Sequence, residues 1–373
     1  MPYALNSMLI LAIETSCDET GIAIIEAHGT LKNPEVRVIK SVVASQVKLH
    51  VPFGGVVPTL AKREHIKNLP LLMKKLFPKM AIETGGTESR PEFNFPGLNK
   101  KQKHPIDMIA VTSGPGLEPA LWMGITFARN LGQATRLPVW GTNHLEGHLF
   151  SFLLKQKREI SNIKNQISKI FPAIGLVVSG GHTVLVRVES FSKWKRMGET
   201  QDDAAGEAYD KVARMLELPY PGGPNLELLA LKGNPKALAL PRPMLNQKNL
   251  NFSFSGLKTA VLYKLRELDL KNQTVKEDVA ASFQAAVIDT LVKKTIRATE
   301  NGKIKSVILS GGVAANKTLR LTLGKAVRKI GAAYLVPPAK YNTDNAAMIA
   351  AASYLGYLRK KKYPLKANGA MNI

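Results

Sequence analysis

The chain has very little sulfur chemistry available: one cysteine, Cys17, in 373 residues. A lone thiol excludes an intramolecular disulfide, and nothing suggests export, so a cytoplasmic protein is expected. No apolar run reaches the roughly 18 residues that would span a bilayer, so no membrane role is expected. The opening "MPYALNSMLILAIETSCDET" lacks a basic n-region and a small-residue cleavage site. It reads as a buried strand and not as a leader. Met8 is a candidate start, with residues 1–7 expected to be disordered. Aromatic residues make up only 6% of the chain, and no aromatic ladder suited to stacking single strands is visible. Neither GxxxxGK[ST] nor a GxGxxG after a strand is present, which disfavours ordinary P-loop and Rossmann readings. Acidic residues are scarce as well: 28 Asp plus Glu against 52 Lys plus Arg, a net charge of +24.

That excess favours a polyanionic partner, most simply a nucleic acid. The basic residues cluster in "KREHIK", "NKKQKH", "KWKR" and "LRKKKYPLK"; a plainer reading is that these are solvated surface runs. With 45% hydrophobic and 21% charged residues the chain is globular. Its length suits two domains, or one two-lobed domain.

Four apolar runs break into small, glycine-rich turns: "LILAIETSCDETGIAII", "MIAVTSGPGLEPALWMGITFA", "AIGLVVSGGHTVLVRV" and "SVILSGGVAANKTL". In the first and third a strand resumes, which predicts a hairpin. In the second and fourth a helical pattern follows. The order hairpin then strand–helix thus occurs twice, an internal repeat that predicts an α/β protein of two related lobes. Glycine turns at strand ends let a backbone approach an oxyanion closely, and a helix start favours negative charge. The expected division is residues 8–140 for an N-terminal lobe, carrying a loop insertion at 83–104, and 141–345 for a C-terminal lobe holding the metal and nucleotide site. A helix at 346–360 should pack back between the lobes. Residues 155–169 read as a charged helix or linker, and 361–373 as a loosely ordered tail.

The stretch "TNHLEGHLF" holds His144 and His148. Asn143 or Thr142 can cap a helix there. At 3.6 residues per turn the two imidazoles stack on one face, where they can share one divalent metal. The alternative is a pair of hydrogen-bonded histidines. The zincin pattern is HExxH, with its general base directly after the first histidine. Here Glu146 is one place later, near the opposite side of the helix, and Gly147 weakens the helix. Asp344, near the start of an apolar helix, is the candidate third ligand, the alternative being a helix cap. Cys17 is a candidate nucleophile or a packed core thiol.

The blocks "ETSCDETGIAI", "SQVKLHVPFGGVVPTLAKREHIKNL", "SGPGL", "NHLEGH", "VSGGHT", "DDAAGEAYDKVARMLELPYPGGP", "FSFSGLKTA", "GGVAANKTLR" and "NTDNAAMIA" run in order from Glu14 to about Ala351. Together they resemble the universal tRNA threonylcarbamoyladenosine transferase family in its bacterial form. The resemblance implies the duplicated two-lobed actin/Hsp70/sugar-kinase (ASKHA) architecture, with a nucleotide cleft between lobes. It implies transfer of a threonylcarbamoyl group from threonylcarbamoyl-AMP to N6 of adenosine 37 in tRNAs reading ANN codons. It places a divalent metal, iron(II) before zinc, on His144, His148 and Asp344. Val177, Val178, Ser179, Gly180 and Gly181 would line the acyl-adenylate, and Asp210, Gly223 and Asn316 match positions that bind it. Asp18 and Glu19 match acidic positions in the cleft and are candidate proton acceptors. The family usually has Gly where this chain has Ala346.

The implied partners are tRNA, a paralogous dimerisation subunit, a small ATPase and an upstream synthase making threonylcarbamoyl-AMP. A self-sufficient homodimer is the alternative. Of the basic clusters, "KWKR" and the C-terminal "KKK" are the ones expected to meet tRNA. The competing readings are a metalloprotease, a non-catalytic ASKHA partner subunit, and a sugar kinase or Hsp70-like ATPase. The misplaced Glu146 opposes the first. The intact histidine pair opposes the second, and with the charge fits the third less well.

Overall fold

The computed structural model describes residues 7–78, 81–83, 92–94, 106–154, 169–300 and 302–373. Most of the expected 83–104 insertion, nearly all of the 155–169 segment and the start at 1–6 lie outside the described residues. The strands are β1 (Met8–Glu14), β2 (Glu19–Thr30), β3 (Asn33–Ser45), β4 (Ala81–Glu83), β5 (Glu92–Asn94), β6 (Met108–Gly114), β7 (Val139–Asn143), β8 (Ala173–Val178), β9 (Thr183–Ser190), β10 (Lys193–Glu199), β11 (Ser306–Ser310) and β12 (Ala333–Leu335). The helices are α1 (Val47–His50), α2 (Pro58–Leu76), α3 (Glu118–Thr135), α4 (His144–Phe150), α5 (Ala205–Met215), α6 (Gly222–Ala230), α7 (Ser255–Leu265), α8 (Gln273–Glu300), α9 (Lys317–Lys329) and α10 (Ala346–Leu358).

The repeat visible in the sequence is a repeat of topology. One five-stranded sheet has the order β3-β2-β1-β6-β7, and a second has the order β10-β9-β8-β11-β12. In each, three strands form an antiparallel meander and two follow in parallel on the other side. The central strands are the continuous apolar runs, because they are covered on both faces. Every residue of β6, β8 and β11 is buried. The hairpins predicted in the first and third apolar runs are present, turning between Glu14 and Glu19 and between Val178 and Thr183, and β6 feeds α3 as expected. After β11 a short 3-10 turn, Gly312–Ala315, intervenes before α9.

The chain divides into two compact units. The first is Met1–Lys48, Val56–Ser168 and Thr343–Ile373; the second is Leu49–Gly55 and Lys169–Asn342. This differs from the linear partition at 140/141. β7 pairs in parallel with β6 and carries α4 with it into the first unit. The C-terminal part returns there too, because α10 is buried from Ala346 to Gly356 and packs on β1, β2 and α4. An almost wholly apolar helix is stable only when covered on all sides. Gly147 has its reason here: a Cβ would lie 3.1 Å from Ile349 and 3.2 Å from Met348, so the glycine lets α4 sit close on α10.

The C-terminal segment is also not a loose tail. Tyr363 bridges to Gly141, with its N–H donating to the Gly141 carbonyl at 3.2 Å. Asn368 N–H donates to Ser113 O at 2.9 Å, and Asn143 Nδ2 donates to Asn372 O at 2.9 Å. Ala367 is buried in the core of the first unit. The polar, aperiodic sequence hides this order because backbone groups supply it.

The second unit is built around α8, whose buried face runs from Val279 to Ala298 and joins a core including Phe252, Phe254, Phe283 and Leu291. Burying one such side chain contributes roughly 1.5–3 kcal/mol.

Candidate metal centre and glycine turns

α4 begins where predicted. Asn143 is its cap, its Oδ1 accepting from Leu145 N at 2.8 Å and Glu146 N at 3.2 Å. His144 and His148 then lie one turn apart, with ring centroids 4.7 Å apart and planes at 87°. Both are buried. Asp344 meets them: its Oδ1 is 3.0 Å from His148 Nε2 and 3.5 Å from His144 Nε2. The cap of α10 is not Asp344 but Asn345, which accepts from Met348 N at 3.0 Å. The helix-cap alternative for Asp344 therefore falls away, and its carboxylate faces the histidines.

These three are the one group of three or more His, Cys, Asp or Glu side chains, among the described residues, able to hold a metal ion, with donor atoms within 4.8 Å of one another. The donor set fits a divalent ion. Two imidazole nitrogens converging with one carboxylate oxygen are donor types that a divalent ion takes. Arms of about 2.1 Å give donor–donor edges of about 3.4 Å in a tetrahedron and about 3.0 Å in an octahedron, which the two histidine–Asp344 distances of 3.0 and 3.5 Å match.

A fourth residue, missed in the sequence reading as a ligand-orienting group, stands behind them. Glu14, at the end of β1, is fully buried and lies 3.3 Å from His144 Nδ1. Its carboxylate also accepts from Ser16 N–H and Thr112 Oγ. A carboxylate on the far nitrogen fixes the ring's orientation and directs the Nε2 lone pair at the metal position. Burial would raise the Glu14 carboxyl, but His144 outweighs it and holds it below the usual range. Burial would likewise lower His144, yet Asp344 and Glu14 push it up to about 9. The only sequence signal for Glu14 was a carboxylate in an otherwise apolar strand.

Glu146 points elsewhere. Its Oε2 pairs with Arg359 Nη2 at 2.5 Å, and its Oε1 accepts from the Tyr363 hydroxyl. Both partners fix it as a tether for the C-terminal segment, so it is not available as a zincin-type base. Asp18 is buried, with Oδ2 lacking a hydrogen-bond partner among the described residues. Burial and the neighbouring Asp18 push the Glu19 carboxyl well above the ordinary range. The same two causes raise the Cys17 thiol, which makes it a poor nucleophile.

In the second unit the expected nucleotide residues lie close together. The turn after β8 is closed by Ser179, whose N–H donates to His182 O at 2.8 Å and whose Oγ accepts from His182 N–H at 3.1 Å. Val177 and Val178 are buried strand residues, so only their backbone can meet a ligand. A Cβ on Gly180, Gly181 or Gly312 would meet nothing within 4 Å, so these glycines front open space. Gly311, at φ +94°, comes so close to the Val178 carbonyl that no side chain would fit, and Gly206 N–H donates to Ser179 O. Asp210 Oδ1 accepts from Gly222 N at 2.9 Å and Gly223 N at 3.2 Å, capping α6. Asn316 caps α9 through Leu319 N at 2.8 Å and donates to Gln284 Oε1 at 2.7 Å. Asp210, Gly223 and Asn316 thus hold two helix starts beside the glycine turns, a role the sequence reading did not assign.

Residues 37–86 and 98–351 match the family model for tRNA N6-adenosine threonylcarbamoyltransferase, TsaD. Relatives of that name include one from Thermosipho melanesiensis, 46% identical over 93% of this chain and 94% of its own. Another, from Moorella thermoacetica, is 44% identical over 98% and 96%. A third, from Bacillus subtilis, is 44% identical over 98% and 95%. Among solved structures, full-length HypF in its phosphate- and nucleotide-bound form is similar with a TM-score of 0.54 at 12% identity, covering 96% of this chain and 57% of that one. HypF from T. kodakarensis gives 0.55 at 13% identity, covering 96% and 48%. At such identities the likeness concerns the fold alone, and it agrees with the expected duplicated α/β class.

Proposed function

The chain belongs to the tRNA N6-adenosine threonylcarbamoyltransferase family of tRNA-modifying transferases, and from that premise we propose that it transfers the threonylcarbamoyl group of threonylcarbamoyl-AMP to N6 of adenosine 37 in tRNAs reading ANN codons. The observation that carries this reading is the convergence of His144, His148 and Asp344 with Glu14 behind them.

In the proposed reaction the adenine N6 amine attacks the carbonyl carbon of the mixed anhydride. A C–N bond forms, the C–O bond to phosphate breaks, and AMP leaves. His144, His148 and Asp344 would hold a divalent metal, iron(II) before zinc, which would supply Lewis acidity there. Glu14 keeps His144 in register for that task. Gly180, Gly181 and Gly312 leave room for the nucleotide against backbone N–H groups. Asp210 and Asn316 keep the neighbouring helix starts in place. Asp18, buried with an oxygen lacking a hydrogen-bond partner among the described residues, and Glu19 beside it are the candidate carboxylates to accept the N6 proton.

The reading includes a cytoplasmic location, helper proteins (a paralogous subunit and a small ATPase) and an upstream synthase; a homodimer is the alternative assembly. No helix among the described residues is long and apolar enough to cross a membrane.

Nucleoside mass spectrometry tests the activity. The chain, expressed in a bacterium depleted of its own enzyme together with cognate helpers, should restore threonylcarbamoyladenosine in bulk tRNA. The His144→Ala, His148→Ala double variant should not. Restoration by both would remove the metal from the mechanism, and restoration by neither would remove the activity.

A further inference from the structure

From Asn345 onward the chain has no acidic side chain, while Arg359, Lys360, Lys361, Lys362 and Lys366 follow within eight residues. The structure anchors this basic run. Tyr363 is bridged to Gly141 of β7, and Leu365 O accepts from Arg129 Nη2 of α3 at 2.6 Å. Arg129 and Arg136 line an open groove of about 680 Å³ between the end of α3 and the start of β7. The strap thus adds its lysines to a rim that already holds two exposed arginines.

Three features suit this face to a phosphate backbone. First, its charge is not spent internally. Among the described residues Arg136, Lys360, Lys362 and Lys366 have no carboxylate partner, and all four are exposed. The β10 cluster is different: Arg196 pairs with Glu199 at 2.7 Å, and Arg187, opposite Lys195, pairs with Glu189. Second, the cations are pre-positioned over rings. Lys362 Nζ lies 5.7 Å from the Trp140 ring centre, Lys361 Nζ 4.9 Å from Tyr363, and Arg129 6.0 Å from Trp122. A cationic head already held over a ring loses less freedom when it binds phosphate. Third, each of these rings already has a cation over it, and Lys and Arg heads are the groups that meet phosphate, which favours backbone contact over base readout.

We propose that the C-terminal strap, the end of α3 and the start of β7 form a docking face for the sugar-phosphate backbone of tRNA. This rests on the tRNA-modifying reading. The same strap reaches the metal centre, since Arg359 and Tyr363 hold Glu146 on α4 and Asn372 O holds the α4 cap Asn143. Substrate would therefore dock on the segment that secures the histidine helix.

The test is binding of unmodified tRNA to the full chain, by fluorescence anisotropy across a salt series. The variant is Arg136→Gln, Lys360→Gln, Lys362→Gln and Lys366→Gln together; the control is Lys193→Gln, Lys195→Gln, Lys232→Gln and Lys236→Gln. Each lost phosphate contact flattens the plot of log K against log salt by about 0.7–0.9. The variant should lose a slope of about 3 and at least tenfold in affinity near 0.15 M salt, with the control close to wild type. Equal losses in variant and control would mean diffuse charge and overturn the docking face. So would a variant that binds like wild type. A wild type with no salt-dependent tRNA binding would overturn the tRNA reading itself. Anionic vesicles run in parallel should bind variant and wild type alike; a loss confined to vesicles would reassign the face to lipid.

Discussion

Glu14 shows how much of a site can sit outside its motif. Its Oε2 is 3.3 Å from His144 Nδ1, and Glu14→Gln leaves all three metal donors in place. Loss of an orienting carboxylate typically costs 10–100-fold in metal affinity. Isothermal titration of the metal-free variant should show a loss of that size, with the thermal unfolding profile near wild type. An unchanged affinity would reduce Glu14 to a core carboxylate. The histidines were legible because their spacing fits one helix face, and Asp344 because a known family pattern carried it. Glu14 was not, since its importance arises only when β1 and α4 are side by side. Lys294 was equally hidden. It is fully buried in α8, with Nζ donating to Asn249 O at 3.1 Å. Burial, aided by Arg297, lowers its amine from 10.5 to about 8. Below about pH 8 the fold must hold a buried ammonium, which opposes folding. As pH rises from about 8 toward 10.5 the unfolded state binds more protons, so stability rises. The unfolding midpoint of wild type should therefore climb over that window relative to Lys294→Met. Parallel curves for the two would place the amine in water.

At the level of elements, the hairpins and strand–helix units were readable because period and glycine punctuation agree. The C-terminal segment was not. Residues 363–373 have no helical or strand period, and their order comes from Gly141, Ser113, Glu118 and Asn143. Long-range backbone pairing leaves no local signal. The glycines that receive the segment were equally uninformative alone, although Gly114 and Gly141 sit where a Cβ would strike the backbone of Asn368 and Tyr363. Deleting 363–373 removes Tyr363 from Glu146 and Asn372 from the α4 cap, and leaves Arg359 with Glu146. Metal affinity should fall and the melting temperature should drop in the truncated chain. Tyr363→Phe, which keeps the backbone bridge and loses only the hydroxyl, should give a smaller part of both effects. Full metal affinity after deletion would show that α4 needs no strap.

Across the whole molecule, duplication distributes the chemistry. The metal donors His144, His148 and Asp344, with Glu14, all belong to the first unit, although Glu14 and Asp344 are 330 positions apart in the chain and the second unit lies between them. The glycine turns, Asp210 and Asn316 all belong to the second. A linear reading could find both sets of motifs but could not sort them, because α10 closes the first unit only after the second is complete. This separation predicts two distinct footprints in hydrogen exchange. A ligand that binds only the folded form stabilises what it touches by mass action. Adding zinc or iron(II) to the metal-free chain should slow exchange in 10–14, 143–150 and 344–356. Adding AMP should slow it in 177–183, 205–223 and 311–319. A metal footprint centred on the second unit would contradict the donor assignment, and an AMP footprint that omits the glycine turns would contradict the nucleotide assignment. Each ligand added after the other then reads the coupling directly, since any change in the first footprint reports an affinity change shared equally by both sites.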